Sequence, residues 1–130
     1  MWDANLLMSD DQVIAADGYS SSAIAVGGHA DQGLPLELTA DKTAGSSSDT
    51  LLVFIMAKDT DAGWSTTPSA TIDRVCTFEL IGALDARQFQ RVFTSRKYIK
   101  GYYDITNASG SASYICNLGV VSGFQRDAGI

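Results

Sequence analysis

Apolar residues recur at every second position along several short stretches of this chain, and clusters of Gly, Ser, Asp and Pro interrupt them. Period two marks strands with one face buried. The pattern is clearest from Tyr98 to Val121. There Ile99, Tyr103 and Ile105 share a face against Lys100 and Asp104. After the turn-forming Asn107-Ala108-Ser109-Gly110-Ser111, Tyr114, Cys116, Leu118 and Val120 share a face against Ser113, Asn117 and Gly119. The two arms predict a hairpin, and because a lone strand pair is unstable in water it should be the wall on which a second sheet packs.

The remaining stretches are read the same way. Asn5 to Met8 is a short apolar run, and Ser9-Asp10-Asp11 is expected to turn the chain or cap a brief helical turn through Ala16. A strand is expected at Ala23–Val26, closed by Gly27-Gly28, and His29 to Gly33 is a polar connector. Pro35 has no N–H for a ladder, so the next strand should start at Leu36 and reach about Ala40. Asp41 to Asp49 reads as an exposed Gly/Ser-rich loop. It leads into Leu51 to Ala57, apolar on both faces, so one face should meet the opposite sheet and the other a loop, helix or neighbouring subunit. Asp59 to Thr71 is the longest irregular stretch, of a length that is often functional. Val75–Leu80 is a strand, Ala83–Gln90 a short helix or turn, Arg91–Thr94 a short strand, and the end from Gly123 a loose tail. The sum is a single domain over residues 1–130, an all-β, jelly-roll-like antiparallel sandwich of about eight short strands.

With 130 residues, 45% apolar and 18% charged, the chain is long enough for one core and has a globular balance. No window approaches the roughly 20 apolar residues of a bilayer helix, so no membrane partner is expected. Met1-Trp2-Asp3-Ala4-Asn5 has no basic flank before an apolar stretch, so no signal peptide is expected and cytosolic synthesis is. A net charge of −6 argues against nucleic-acid binding, which needs clustered bases in excess. The charge is uneven: residues 1–61 carry −8 and residues 62–130 carry +2. Arg87, Arg91, Arg96, Lys97 and Lys100 fall within fourteen residues. They read either as a strand edge defended by charge or as a docking patch for an acidic protein surface.

Catalytic sets fail on inventory. His29 is the one histidine, it sits in a connector, and there is no G-x-S-x-G elbow, so no enzymatic activity is expected. Cys76 and Cys116 lack metal-ligand spacing, and Cys116 lies in phase with Tyr114 and Leu118 as a core thiol would; a bridge between the two stays open. Asp59-x-Asp61-x-Gly63 looks like the start of a calcium loop but lacks the closing bidentate Glu, so an ordinary acidic turn is the plainer reading and no cofactor is expected. Trp64, in a long polar loop, is either tucked over a core edge or offered to a partner. Tyr98, Tyr102, Tyr103 and Tyr114 either pack in strands or, with Trp64, line a sugar-binding face.

Short motifs run in a suggestive order. Asp3-Ala4, Ser9-Asp10-Asp11-Gln12, Ser20-Ser21-Ser22, Ile24 to Gly27, Gly33-Leu34-Pro35-Leu36, and the Tyr-containing stretch of Tyr98–Val121 occur over nearly the whole chain. In that order they resemble the family of small bacteriophage capsid cement, or decoration, proteins, to which the one of a Bordetella podovirus belongs. The Arg96-Lys97 segment and the Asp59–Trp64 loop depart from the family pattern. The resemblance implies a jelly-roll protein on the outer surface of the virion head, assembled in the host cytoplasm, that ties major capsid proteins together and carries no cofactor. On that reading the partners are the major capsid protein and further copies of the chain, as a dimer or trimer. The docking candidates are Arg91, Arg96, Lys97 and Lys100, with Trp2 and Leu6 as a second foothold and Trp64 as an exposed loop contact. The alternative expectation is a carbohydrate-binding β-sandwich module.

Overall fold

The computed structural model describes residues 2–27, 33–65, 73–81 and 85–121, with the side chains of residues 2–6, 80 and 85 left out of that description. Nine strands occur among them: β1 (Trp2–Ile14), β2 (Gly18–Tyr19), β3 (Ile24–Ala25), β4 (Leu34–Ala44), β5 (Thr50–Lys58), β6 (Arg74–Ile81), β7 (Asp85–Val92), β8 (Tyr98–Thr106) and β9 (Ser113–Val121). They form two sheets. Sheet A has the order β1-β9-β4-β7, and sheet B the order β2-β8-β5-β6, with β3 also on β8. Every described pairing is antiparallel. The pairings nest, β1 with β9, β2 and β3 with β8, β4 with β7, and β5 with β6. A long two-stranded ribbon folded so that successive pairs alternate between two sheets is the jelly-roll arrangement, and the expected all-β sandwich is what the chain adopts.

The expected hairpin of Tyr98–Val121 is not one. Its arms, β8 and β9, lie in opposite sheets, β8 beside β5 and β9 between β1 and β4. The turn residues reverse the chain as read: Gly110 has φ +80° and donates to the Asn107 carbonyl, while Asn107 Oδ1 accepts from Ala112 N. Turn chemistry, however, fixes reversal and not the sheet to which the chain returns. With an apolar face on each arm, both requirements are also met when the arms face one another across the core.

Three further expectations are corrected. Ser9–Ala16 forms no helical turn, because β1 continues to Ile14. Irregularities between Leu7 and Ser9 and between Ser9 and Gln12 break its alternation, which hid the strand. Asp11 takes the bulge conformation at φ +48°, held by its N–H on Asn117 Oδ1 and by its own Oδ1 accepting from Asn117 Nδ2. The stretch expected as a helix within Ala83–Gln90 is strand from Asp85 on, joined to the short strand expected after it. Its Ala, Arg and Gln favour helix locally, but β7 pairs with β4 from Asp41↔Asp85 to Leu34↔Val92, and that ladder overrides propensity. The strand expected from Leu36 starts at Leu34 and runs to Ala44, so only Gly45–Asp49 remains of the expected Asp41–Asp49 loop. His29 and the tail from Ser122 lie outside the described residues.

The core is what the alternation predicts. Leu36, Leu38 and Ala40 of β4 and Tyr114, Cys116, Leu118 and Val120 of β9 meet Leu51, Val53, Ile55 and Ala57 of β5 and Ile99 and Tyr103 of β8. Gly101 lets the sheets come together: a Cβ there would lie 2.5 Å from Leu118 Cδ2. The Tyr103 hydroxyl pairs with Ser9 Oγ at 2.7 Å, so a polar bridge also links the two layers.

Candidate functional site

Each sheet has an outward face, and the two differ. On sheet B the outward residues of β5 include Phe54 and Met56, only 3% and 1% exposed although they point away from the core. Neighbouring strands and the loop after β5 supply the cover that can be described. Tyr102 of β8 stacks on Phe54 with parallel planes and ring centres 6.5 Å apart, and the Arg74 guanidinium lies 4.0 Å from the centre of the same ring. Tyr19 of β2 meets Tyr102 edge-on at 5.0 Å and Trp64 at 6.1 Å. Lys100 sets its ammonium 5.3 Å from the Tyr19 ring centre and 5.8 Å from that of Trp64. The loop is pinned by Tyr19 OH donating to Ser65 O, Lys58 Nζ donating to Gly63 O and Trp64 Nε1 donating to Asp61 Oδ1. Trp64 is thus half-buried over the sheet, and the covering element left open by the sequence includes this loop.

Sheet A is open. Its outward face carries Val13 of β1, 63% exposed, and Phe89 of β7, 50% exposed, and Phe93 immediately after β7 is 60% exposed. These are all the large exposed apolar side chains among the described residues. Along β7 the outward positions alternate Arg87, Phe89, Arg91 and continue to Phe93, while Val92 turns into the core. Arg87 is paired with the buried Glu37 of β4 and lies 5.3 Å from the Phe89 ring centre. Arg91 Nη1 donates to Gly33 O at 3.1 Å. The Phe93 ring lies so close to Gly33, at φ +93°, that a Cβ there would come within 2.8 Å of it. A shallow groove of about 520 Å³ crosses the same face between Asp11, Asp41, Ile115 and Asn117.

The basic residues singled out from the sequence do not form one patch. Arg91 lies on sheet A with Arg87. Lys100 lies on the outer side of sheet B under the aromatic row. Arg96, in the connection between them, donates to Asp73 Oδ1 at 2.6 Å and to Ala57 O at 2.7 Å, an ion pair that ties β8's approach to the end of β5. Lys97 is exposed in the same connection, and its carbonyl accepts from Val26 and Gly27. Trp2 and Leu6 belong to β1, Trp2 opposite Val121; their side chains are outside the described set. Sequence reasoning missed Phe89, Phe93 and Val13. The period-two signal Arg87-x-Phe89-x-Arg91-x-Phe93 was present but was split between a stretch read as a short helix or turn, to Gln90, and a separate short strand from Arg91.

At one end of the sandwich, Asp49 is fully buried and braces two turns. Its carboxylate accepts from Ser46 N, Ser109 N and Ser109 Oγ at 2.6 to 2.8 Å. The Ser109 hydroxyl and amide, then the Ser46 amide, hold its pKa down at about 2. Lys42, also buried, donates to the Ser46 and Asp49 carbonyls. These polar partners make it a structural brace. Cys76 and Cys116 are both free thiols, and burial pushes Cys116 up to about 12, too high for a nucleophilic thiolate at neutral pH. Tyr103 and Tyr114 are core residues, leaving Tyr98 and Tyr102 of the four tyrosines partly exposed. Among the described residues no three His, Cys, Asp or Glu side chains are grouped as metal ligands. No known protein-family model matches the chain, and no curated protein matches it.

Proposed function

We propose that the chain is a structural cement protein of a bacteriophage head, held on the outer capsid surface through the outward face of sheet A. The observation that carries this reading is the exposure of Phe89 and Phe93 at the β7 edge of the outward face of sheet A, alternating with Arg87 and Arg91. Single exposed apolar residues are ordinary on a solvated surface, but two phenylalanines, each half exposed or more and four residues apart along one sheet edge, make the kind of apolar spot a docking face uses. The jelly-roll strand order supports the same reading, since it is the arrangement that the resemblance implied and one that capsid proteins share. In this reading the partner is the major capsid protein, and self-association multiplies the footholds. Each added contact then acts at high local concentration.

The test adds the purified protein to phage heads that lack their decoration protein, with stoichiometry read by sedimentation and head stability by heating. Saturable binding that raises the heat resistance of the heads, and that is lost in the double substitution Phe89→Ser and Phe93→Ser, is the expected result. Failure of the unaltered protein to bind any such head removes the reading. The carbohydrate-binding alternative draws on the half-buried row of Tyr19, Tyr102 and Trp64, whose rings meet edge-on or tilted around Lys100 rather than forming an open platform. Quenching of tryptophan fluorescence by sugars would move the weight to it.

A further inference from the structure

β2 holds the edge of sheet B by only two residues, Gly18 opposite Tyr103 and Tyr19 opposite Tyr102. The same register sets Asp17 opposite Asp104, on the outward side that Tyr19 and Tyr102 share. Asp17 Oδ1 accepts from Ile105 N at 2.8 Å, which brings its carboxyl alongside that of Asp104, and the two carboxyls hydrogen-bond to each other. Like charges directly opposite one another weaken a strand pair. Among the described residues neither carboxyl has a basic partner. From β5 the residue opposite Asp104 is the apolar Leu52. On β8 the facing group is the phenol of Tyr102, whose ionisation both carboxylates oppose, and on β2 the Tyr19 phenol is committed to Ser65 O. Lys100, the base of β8, lies over the rings of Tyr19 and Trp64.

We infer that Asp17 and Asp104 form a proton-operated clasp on β2: sharing one proton, the pair closes β2 onto β8, and with both carboxylates ionised it pushes β2 away. Burial first, then the charge of Asp17 and the hydrogen bond between the two, raise the Asp104 carboxyl above its ordinary 3.8. The folded chain therefore holds this proton more tightly than the unfolded one, and stability falls as pH rises from 3.8 through the raised value. The clasp acts beyond the pair because β2 carries Tyr19, whose hydroxyl donates to Ser65 O and whose ring meets Trp64. Acid tightens the cover over sheet B, and ionisation of the pair loosens it. The inference stands apart from the docking reading, since it concerns the outward side of sheet B.

The experiment follows amide hydrogen exchange of the full chain by NMR from about pH 4 to about pH 7, corrected for the intrinsic pH dependence of exchange. The reporting amide is Ser20 N, which donates to Gly101 O at 2.6 Å where β2 meets β8. The control is Ala112 N, held by Asn107 Oδ1 in the turn between β8 and β9. The expected result is that Ser20 protection falls as pH rises, while Ala112 protection does not. In Asp104→Asn the Ser20 slope should vanish and protection at pH 7 should rise by about threefold, because the repulsion is gone. Asp17→Asn keeps an oxygen for Ile105 N and should do the same. A gain of protection is a result that damage to the fold would not give. An equal slope at Ser20 in the unaltered chain and in Asp104→Asn overturns the clasp, as does lower protection at pH 7 in both variants. A matching slope at Ala112 marks a change in the whole fold and overturns it too. If millimolar calcium abolishes the slope and protects Ser20 at pH 7, the pair is a cation site and the proton reading is overturned.

Discussion

β5 and β7 invert the usual relation between composition and exposure. β5 is the most apolar strand in the chain, yet both of its faces are shut, the inward one by the core and the outward one by Tyr102, Arg74 and neighbouring groups. β7 contains Asp, Arg and Gln at most positions, yet it displays one of the largest exposed rings in the described structure. Hydrophobicity summed over a strand therefore says little about binding. What matters is whether anything packs over the outward side chains, and β5 and β7 answer that differently.

The largest expected effect separates the two faces directly. Phe54→Ala removes a ring that is covered on the outward side of sheet B and should destabilise the fold by about 3 kcal/mol, read by denaturant unfolding. If it costs less than Phe89→Ala, sheet B is not the covered face. Lys100→Ala withdraws an ammonium shared by Tyr19 and Trp64, with an expected loss of about 1 kcal/mol and a change in tryptophan emission, and no change in binding to heads. Loss of head binding in that variant would place the docking surface on sheet B.

The Asp49 brace belongs to neither outward face and supplies a control common to both. Its folded pKa, about 2, lies below its ordinary 3.8, so the folded state releases this proton more readily. The stabilisation is therefore complete above pH 3.8 and is lost as pH falls through about 2. Asp49→Asn should flatten acid unfolding in that window while leaving the contrast between the sheets intact at neutral pH. The smallest expected effect is on stability at the exposed β7 edge. Phe89→Ser should change unfolding free energy by no more than about 0.5 kcal/mol, since the ring is half in water already, while head binding falls at least tenfold if the ring is an anchor.

Much of the core was legible in the chain. Tyr114, Cys116, Leu118 and Val120 are buried in the phase that alternation assigns them, and so are Ile99 and Tyr103. β1 was hidden because its bulges break the alternation, and β7 because its residues favour helix when taken alone. Misreading β7 also dispersed the candidate site. Arg91 was singled out for its charge, but Phe89 and Phe93 join it on one face only once the segment is extended. Arg96 looked like a docking base and is engaged by Asp73, a partner that sequence distance concealed.

Period-two patterning, turn residues and the absence of long helical periodicity determined that this chain is an all-β sandwich, because those signals are local and each strand carries its own. The sheet to which each strand belongs was decided in three dimensions, as β8 and β9 demonstrate by sitting across the core from each other. So was the exposure of each outward face. Cover over Phe54 comes from Tyr102 and Arg74, and the row continues to Tyr19 and Trp64, residues drawn from four separate segments. Burial from such distant segments leaves no periodic trace in the sequence, since a covered outward side chain and a bare one occupy the same phase of the strand.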